Sequence, residues 1–214
     1  SWYNVSTFIN YYTQSPNVAV FDQNGKIVFC TAFNNYEDLP EFLAEVLEAP
    51  YGMDPSYAST DYSKDGEVKT LQTATAGNGI DIVLMGDAYS DRLIADGTYD
   101  KAMNTAMEKF FEVEPYKSFR DHFNVYSVTA VSANELYAES TSTVFKGYFG
   151  EGTHVGGDDQ VAFTYAQKAI SADRIDDALI VVMMNSMNYA GTCYMYGPSE
   201  GDWGDGASVS YFPV

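Results

Sequence analysis

The sequence is poor in the side chains that most often build reactive centres: of its 214 residues, two are histidine and two are cysteine. A zinc site on one helix needs two histidines a turn apart and a third ligand, because only that spacing puts both rings on one face. His122 and His154 lie far apart in the chain. His122, in Arg120-Asp-His-Phe123 between a helix and a strand, reads as a structural hydrogen-bonder. His154, in a glycine-rich loop near Glu151 and Asp158, is the better site candidate. Two cysteines allow one disulfide, Cys30 to Cys193, but nothing in the sequence brings them together. Each sits in an apolar, strand-like run, where a buried free thiol is expected. Positive charge is scarce as well: 11 Lys and Arg stand against 30 Asp and Glu, a formal charge of -19. Such a surface repels phosphate backbones and anionic lipid, so no nucleic-acid partner is expected. The longest apolar run, Ala178 to Met184, is far shorter than the roughly 20 residues that cross a bilayer, so no membrane span is expected.

Catalytic signatures are missing in the same way. There is no Gly-x-Ser-x-Gly elbow and no Gly-x-x-x-x-Gly-Lys cradle, and Gly77-Asn-Gly79 precedes a strand where a dinucleotide loop would follow one. Gly86-Asp87 ends a strand as in hydrolases whose nucleophilic serine comes next, but Ala88 holds that place and no downstream Asp-x-x-His supplies a base. Among 30 acids, no spacing singles out a catalytic pair.

What is present predicts a folded chain, with 46% hydrophobic residues, 18 Tyr and 13 Phe. It starts Ser1-Trp-Tyr3, without an initiator Met or apolar leader, which reads as a piece of a longer protein in preference to a processed product. Residues 17–21 and 26–33 read as strands joined at Asn24-Gly25, a strong hairpin signal. Tyr36 to Leu47 puts Leu39, Phe42, Leu43, Val46 and Leu47 on one helical face. With Ser15-Pro16 ahead of it, this segment, residues 1–48, resembles the C-terminal half of a thioredoxin-like domain. It lacks Cys-x-x-Cys, so thiol chemistry is not expected. Residues 49–78, with Pro50, Gly52 and Pro55, read as a linker. Inside it Asp61-Tyr-Ser-Lys-Asp-Gly-Glu-Val68 copies the start of a calcium loop, but Gln72 stands where the bidentate Glu belongs, and a polar turn at Asp65-Gly66 is preferred.

From residue 79 strands and helices alternate. Ile80 to Met85 is a buried strand, and Thr98 to Val113 a helix with Tyr99, Met103, Ala106, Phe110 and Val113 on one stripe, capped by Thr98 and ended by Pro115. A strand over 123–131, an irregular stretch over 147–157, a helix over 158–171, the strand 178–184 and a less buried strand 192–196 follow, and residues 197–206 read as a loop. This order predicts an α/β layered sheet.

Three segments carry a family resemblance: Gly79-Ile-Asp-Ile-Val-Leu-Met-Gly-Asp-Ala-Tyr-Ser90, Phe110-Phe-Glu-Val-Glu-Pro-Tyr-Lys-Ser-Phe-Arg-Asp-His-Phe-Asn-Val125, and Ile180-Val-Val-Met-Met-Asn-Ser186 with Tyr189-Ala-Gly-Thr-Cys-Tyr-Met-Tyr196. Together they make residues 79–196 similar to the first part of the immunoglobulin A peptidase-like family of zinc metallopeptidases. The resemblance implies a zincin-like half-domain over 79–214, from an extracytoplasmic, secreted or surface, endopeptidase that cleaves polypeptide with zinc-activated water. In that family a His-Glu-x-x-His type helix follows the region of Tyr196, and it is not found here. The chain alone is therefore expected to bind no zinc and to be inactive, supplying scaffold and part of the substrate cleft. Residues implied to face substrate are Asp87 and Tyr89 after the first strand, where a turn-stabilising Asp and a packed Tyr are the preferred alternative, Asn185 and Tyr189 after the third, and Thr192 and Tyr194 on the edge strand, which reads equally as an ordinary edge or loop strand. The alternative is a non-catalytic extracytoplasmic module that uses its tyrosines to bind carbohydrate or protein. A serine esterase is a third, weaker reading.

Overall fold

The computed structural model describes residues 57–137, 142–186, 188–196 and 206–214, together with the backbone of two strands further upstream. The chain divides into two compact units, Ser1–Asp54 and Pro55–Val214. In the first, β1 (Asn17–Phe21) and β2 (Ile27–Ala32) pair antiparallel, with Asn17 opposite Ala32. The helix expected over 36–47 and the side chain of Cys30 lie outside the described residues.

The second unit is built on a six-stranded sheet. In chain order it contains β3 (Val68–Gln72), β4 (Ile80–Asp87), α1 (Asp91–Ala95), α2 (Thr98–Phe110), β5 (Phe123–Val128), the short pair β6 (Tyr148–Phe149) and β7 (Val155–Gly156), α3 (Asp159–Ala166), β8 (Leu179–Met184), β9 (Thr192–Met195) and β10 (Ser208–Pro213). Across the sheet the strands run β3, β5, β4, β8, β10, β9. The middle four are parallel, and β3 and β9 close the two edges antiparallel to their neighbours.

The apolar runs explain the layering. A strand covered on both faces needs apolar side chains at every position. Val83 and Met85 of β4, with Ile180, Val182 and Met184 of β8, pack with α3 residues Ala162 and Ala166. Ile82 and Leu84, with Val181 and Met183, pack with Leu93 of α1 and with Tyr99, Met103 and Met107 of α2. The result is a helix–sheet–helix sandwich. Burying each of the Val, Ile, Leu and Met side chains contributes about 1.5–3 kcal/mol.

Several elements differ from the sequence expectation. Val68–Gln72, inside the stretch read as linker, is an edge strand pairing antiparallel with β5; its alternation of exposed and half-buried residues is too short to stand out among Ser and Thr. Thr98 is the first residue of α2, and the cap is Gly97, whose φ of +88° suits a residue without a Cβ. The helix stops at Phe110, short of Val113 and well before Pro115. Asp158 caps α3, accepting a hydrogen bond from the Val161 amide at 3.3 Å. Cys193 is exposed, not buried, because β9 is an edge strand whose alternate residues face out; its thiol is free. Residues 63–66 form a turn with Gly66 at φ +80°, and the Asp61 carboxylate accepts the Ser63 amide at 2.9 Å. Among the described residues, no helix is long and apolar enough to cross a membrane.

Candidate functional site

In an open parallel sheet, ligands gather where the strand order reverses, beyond the carboxyl ends of the two strands flanking that point. Here β4 comes first, β5 lies on one side of it and β8 on the other. The crevice is therefore expected above Asp87 and Asn185, two of the residues read from the sequence as substrate-facing. The structure fills it with protein. Asp87 is fully buried, and its carboxylate accepts the amides of Phe145 and Gly147, each at 3.0 Å. Burial pushes its pKa up, partly offset by the hydrogen bonds it accepts from Phe145, Thr143 and Gly147. The Asn185 amide donates to the Asp87 carbonyl at 3.0 Å, and its side-chain amide to the Ala88 carbonyl at 3.1 Å. The Tyr137 hydroxyl donates to the same Asp87 carbonyl at 3.0 Å.

This hub fastens the connection after β5 onto the ends of β4 and β8. Ser132 Oγ accepts the Ala88 amide at 3.0 Å and the Val144 amide at 3.1 Å. Ala88 adopts φ +63°, a left-handed conformation that costs about 1–2 kcal/mol for an L-residue and turns the chain sharply from β4 into α1. Gly147 is required where it stands: a Cβ there would lie 2.5 Å from Asp87 Oδ2. Tyr89 is also fully buried, its ring edge-on to Tyr99 at 5.1 Å. Asp87, Tyr89 and Asn185 thus form one interior cluster, with no side-chain face turned to solvent.

The other three sequence-derived residues fall elsewhere. Tyr189 is 90% exposed in the approach to β9. Thr192 and Tyr194 turn toward the α3 side of the sheet: Thr192 Oγ1 accepts the Val155 amide at 3.0 Å, and the Tyr194 hydroxyl donates to the Val155 carbonyl at 3.1 Å. The same hydroxyl lies 2.9 Å from His154 Nε2. Burial and a hydrogen bond with Tyr148 push the Tyr194 pKa up. Next to this group Asp159 accepts the Tyr211 hydroxyl at 2.6 Å and also that of Tyr196. Burial and then the Asp159 contact raise the Tyr196 pKa to about 12. His154, singled out from the sequence, is thus joined to Tyr194; His122 sits beside Phe119, with its Nε2 3.8 Å from Asp121.

Sequence reasoning missed Tyr148, Asp159, Tyr196 and Tyr211 as members of one cluster. Tyr211 lies on β10, whose alternating Ser-Val-Ser-Tyr pattern was the available signal. Tyr196 and Tyr211 meet Asp159 only through strand pairing and the docking of α3, which no local pattern encodes.

Among the described residues, no group of three His, Cys, Asp or Glu side chains is placed to hold a metal ion. The imidazole of His154 is engaged with tyrosine, and the carboxylates of Asp87 and Asp159 with amides and phenols. These side chains do not fit a zinc centre, and no catalytic step is derived through one.

Comparison with known families places this three-layered α/β unit among metallopeptidases. The sequence profile of the IgA peptidase M64 family matches residues 68–199, more than half of the chain, and the chain belongs to that family. No curated protein matches it.

Proposed function

We propose that residues 55–214 supply the sheet scaffold and one rim of the substrate cleft of a secreted or cell-surface zinc endopeptidase, whose metal ligands and general base come from polypeptide outside the described residues. The observation that carries this reading is the family match across β3 to β9, joined to the position of β9 at the sheet's border. Among the described residues, β9 pairs with β10 along one edge only. An extended polypeptide added along the other edge would gain main-chain hydrogen bonds, the usual way a peptide is held by a strand. Cys193 and Met195 face one side of that rim and Thr192 and Tyr194 the other, so alternate substrate side chains would meet different surfaces. Tyr189 stands at the entrance, and Asp87, Tyr89 and Asn185 act from beneath by fixing the loop that walls the cleft.

The test is hydrolysis of an unfolded polypeptide by the full-length protein that contains these residues. Cleavage that stops with a chelator and returns with zinc is expected. A Cys193 fluorophore should respond to the same polypeptide in the 214-residue chain. Cleavage indifferent to chelator, or none at all, would sink the proposal.

A further inference from the structure

Past the C-terminal end of β9 the chain forms an open depression of about 440 Å³, bordered by Lys146, Tyr148, Asp158, Asp159, Gln160 and Tyr196. Neither the buried hub at Asp87 nor the unpaired edge of β9 accounts for it. Two rings lie open to solvent there: Tyr148 is 46% exposed and Tyr196 39%. Both are nevertheless held in place by their hydroxyls, Tyr196 by donating to Asp159 and Tyr148 through its hydrogen bond with Tyr194. The missing side chain of Gly156 is what admits this arrangement, since a Cβ there would lie 2.6 Å from the Tyr194 hydroxyl and 2.7 Å from that of Tyr148. Rings fixed in advance lose little freedom when a ligand stacks on them.

The polar lining narrows the ligand class. The Lys146 ammonium lies 2.6 Å from Asp158, and Asp159 takes two phenol hydroxyls, so each carboxylate already has its partners. A cation would have to displace Lys146, and an anion would face both acids. What remains is a mixed set of donors and acceptors from Lys146, Gln160 and the outer carboxylate lone pairs, beside two ring faces. A pyranose matches both halves, with an apolar C–H face for a tyrosine ring and hydroxyls that donate and accept.

We propose that this depression is a binding subsite for a neutral saccharide. The site is separate from peptide cleavage and does not depend on the chain being part of a peptidase. Saturation-transfer NMR on the whole 214-residue chain tests it, with methyl glycosides of glucose, galactose, mannose, N-acetylglucosamine and N-acetylgalactosamine and their disaccharides as probes. At least one should bind in the millimolar range. Tyr196→Ala should weaken that binding about tenfold or more, Gln160→Ala several-fold, and Tyr148→Phe, which keeps the ring but loses the hydroxyl that holds it, by a smaller factor. Gln160 is exposed, so its variant tests the site even if Tyr196→Ala perturbs the fold. No saccharide signal, binding unchanged in both alanine variants, or acetyl-arginine methylamide occupying the site in place of sugars would overturn the proposal.

Discussion

Asp87 is the buried carboxylate that fastens the connection after β5 onto the ends of β4 and β8. Its carboxylate is fully buried and carries the amides that lay residues 143–147 over the strand ends. Removing it leaves the buried Phe145 N–H without an acceptor, worth about 1–3 kcal/mol, leaves the Gly147 N–H only Thr143 Oγ1 at 3.2 Å, and opens a cavity where the carboxylate stood. Asp87→Ala is therefore expected to cost about 3 kcal/mol or more in urea denaturation followed by circular dichroism. Its titration has an unusual sign for an aspartate. Burial raises its folded-state pKa above the unfolded value of about 3.9. The contribution is full below that unfolded value and is lost as pH rises through the folded one. Stability of the wild type relative to Asp87→Asn should fall as pH climbs from 4.

Asp91 behaves in the opposite way. Burial would push its pKa up, but the Tyr57 hydroxyl and the amides of Thr60, Asp61 and Arg92 outweigh it and hold the carboxyl well below the usual range. Its contribution is present above the unfolded value and lost as pH falls. The gap between wild type and Asp91→Asn should close as pH drops from 5 toward 2, and hydrogen exchange should show residues 59–61 opening first. A gap that widens in that range would contradict the assignment.

At the scale of elements, β4 is the strand on which everything converges. It pairs with β5 and β8 and is packed on both faces, and Gly86 brings its chain against two tyrosine rings. A Cβ at Gly86 would lie 2.7 Å from both Tyr89 and Tyr99, and the Gly86 amide also donates to the Tyr99 hydroxyl at 2.9 Å. Gly86→Ala is expected to lower stability by about 1–3 kcal/mol through overpacking, read as a shift in denaturation midpoint. Relief of the clash by Tyr89→Phe would not be expected, since the contact is with the ring and not with its hydroxyl.

The same elements show what local pattern can and cannot reveal. Ile82–Met85 and Leu179–Met184 were legible because strands buried on both faces leave unbroken apolar runs. The stripe on α2 was legible from its period, though its cap and its last turn were not, since Gly97 acts by backbone conformation alone. β3 escaped because an edge strand of five residues carries too little alternation to stand out from Ser-rich surroundings, and the alternation in β10 spans only Ser-Val-Ser-Tyr. The candidate site was legible only as separate residues. Asp87 and Asn185 meet through a strand pairing distant in sequence, and Tyr194 meets His154 through a loop folding back, so their division into a buried hub and an exposed rim belongs to tertiary structure.

At the scale of the whole molecule, the family match and the donor set describe different things. The match across residues 68–199 makes the chain a member of a metallopeptidase family, and the described side chains supply a sheet, a walled edge and an aromatic depression in place of a metal-binding triad. The net charge of -19 would attract cationic polypeptide at low salt. Zinc titration calorimetry of the 214-residue chain, paired with a peptidase assay on the same sample, tests the account most directly. No tight stoichiometric zinc site and no cleavage are expected. One zinc bound tightly per chain, accompanied by peptide hydrolysis, would contradict it.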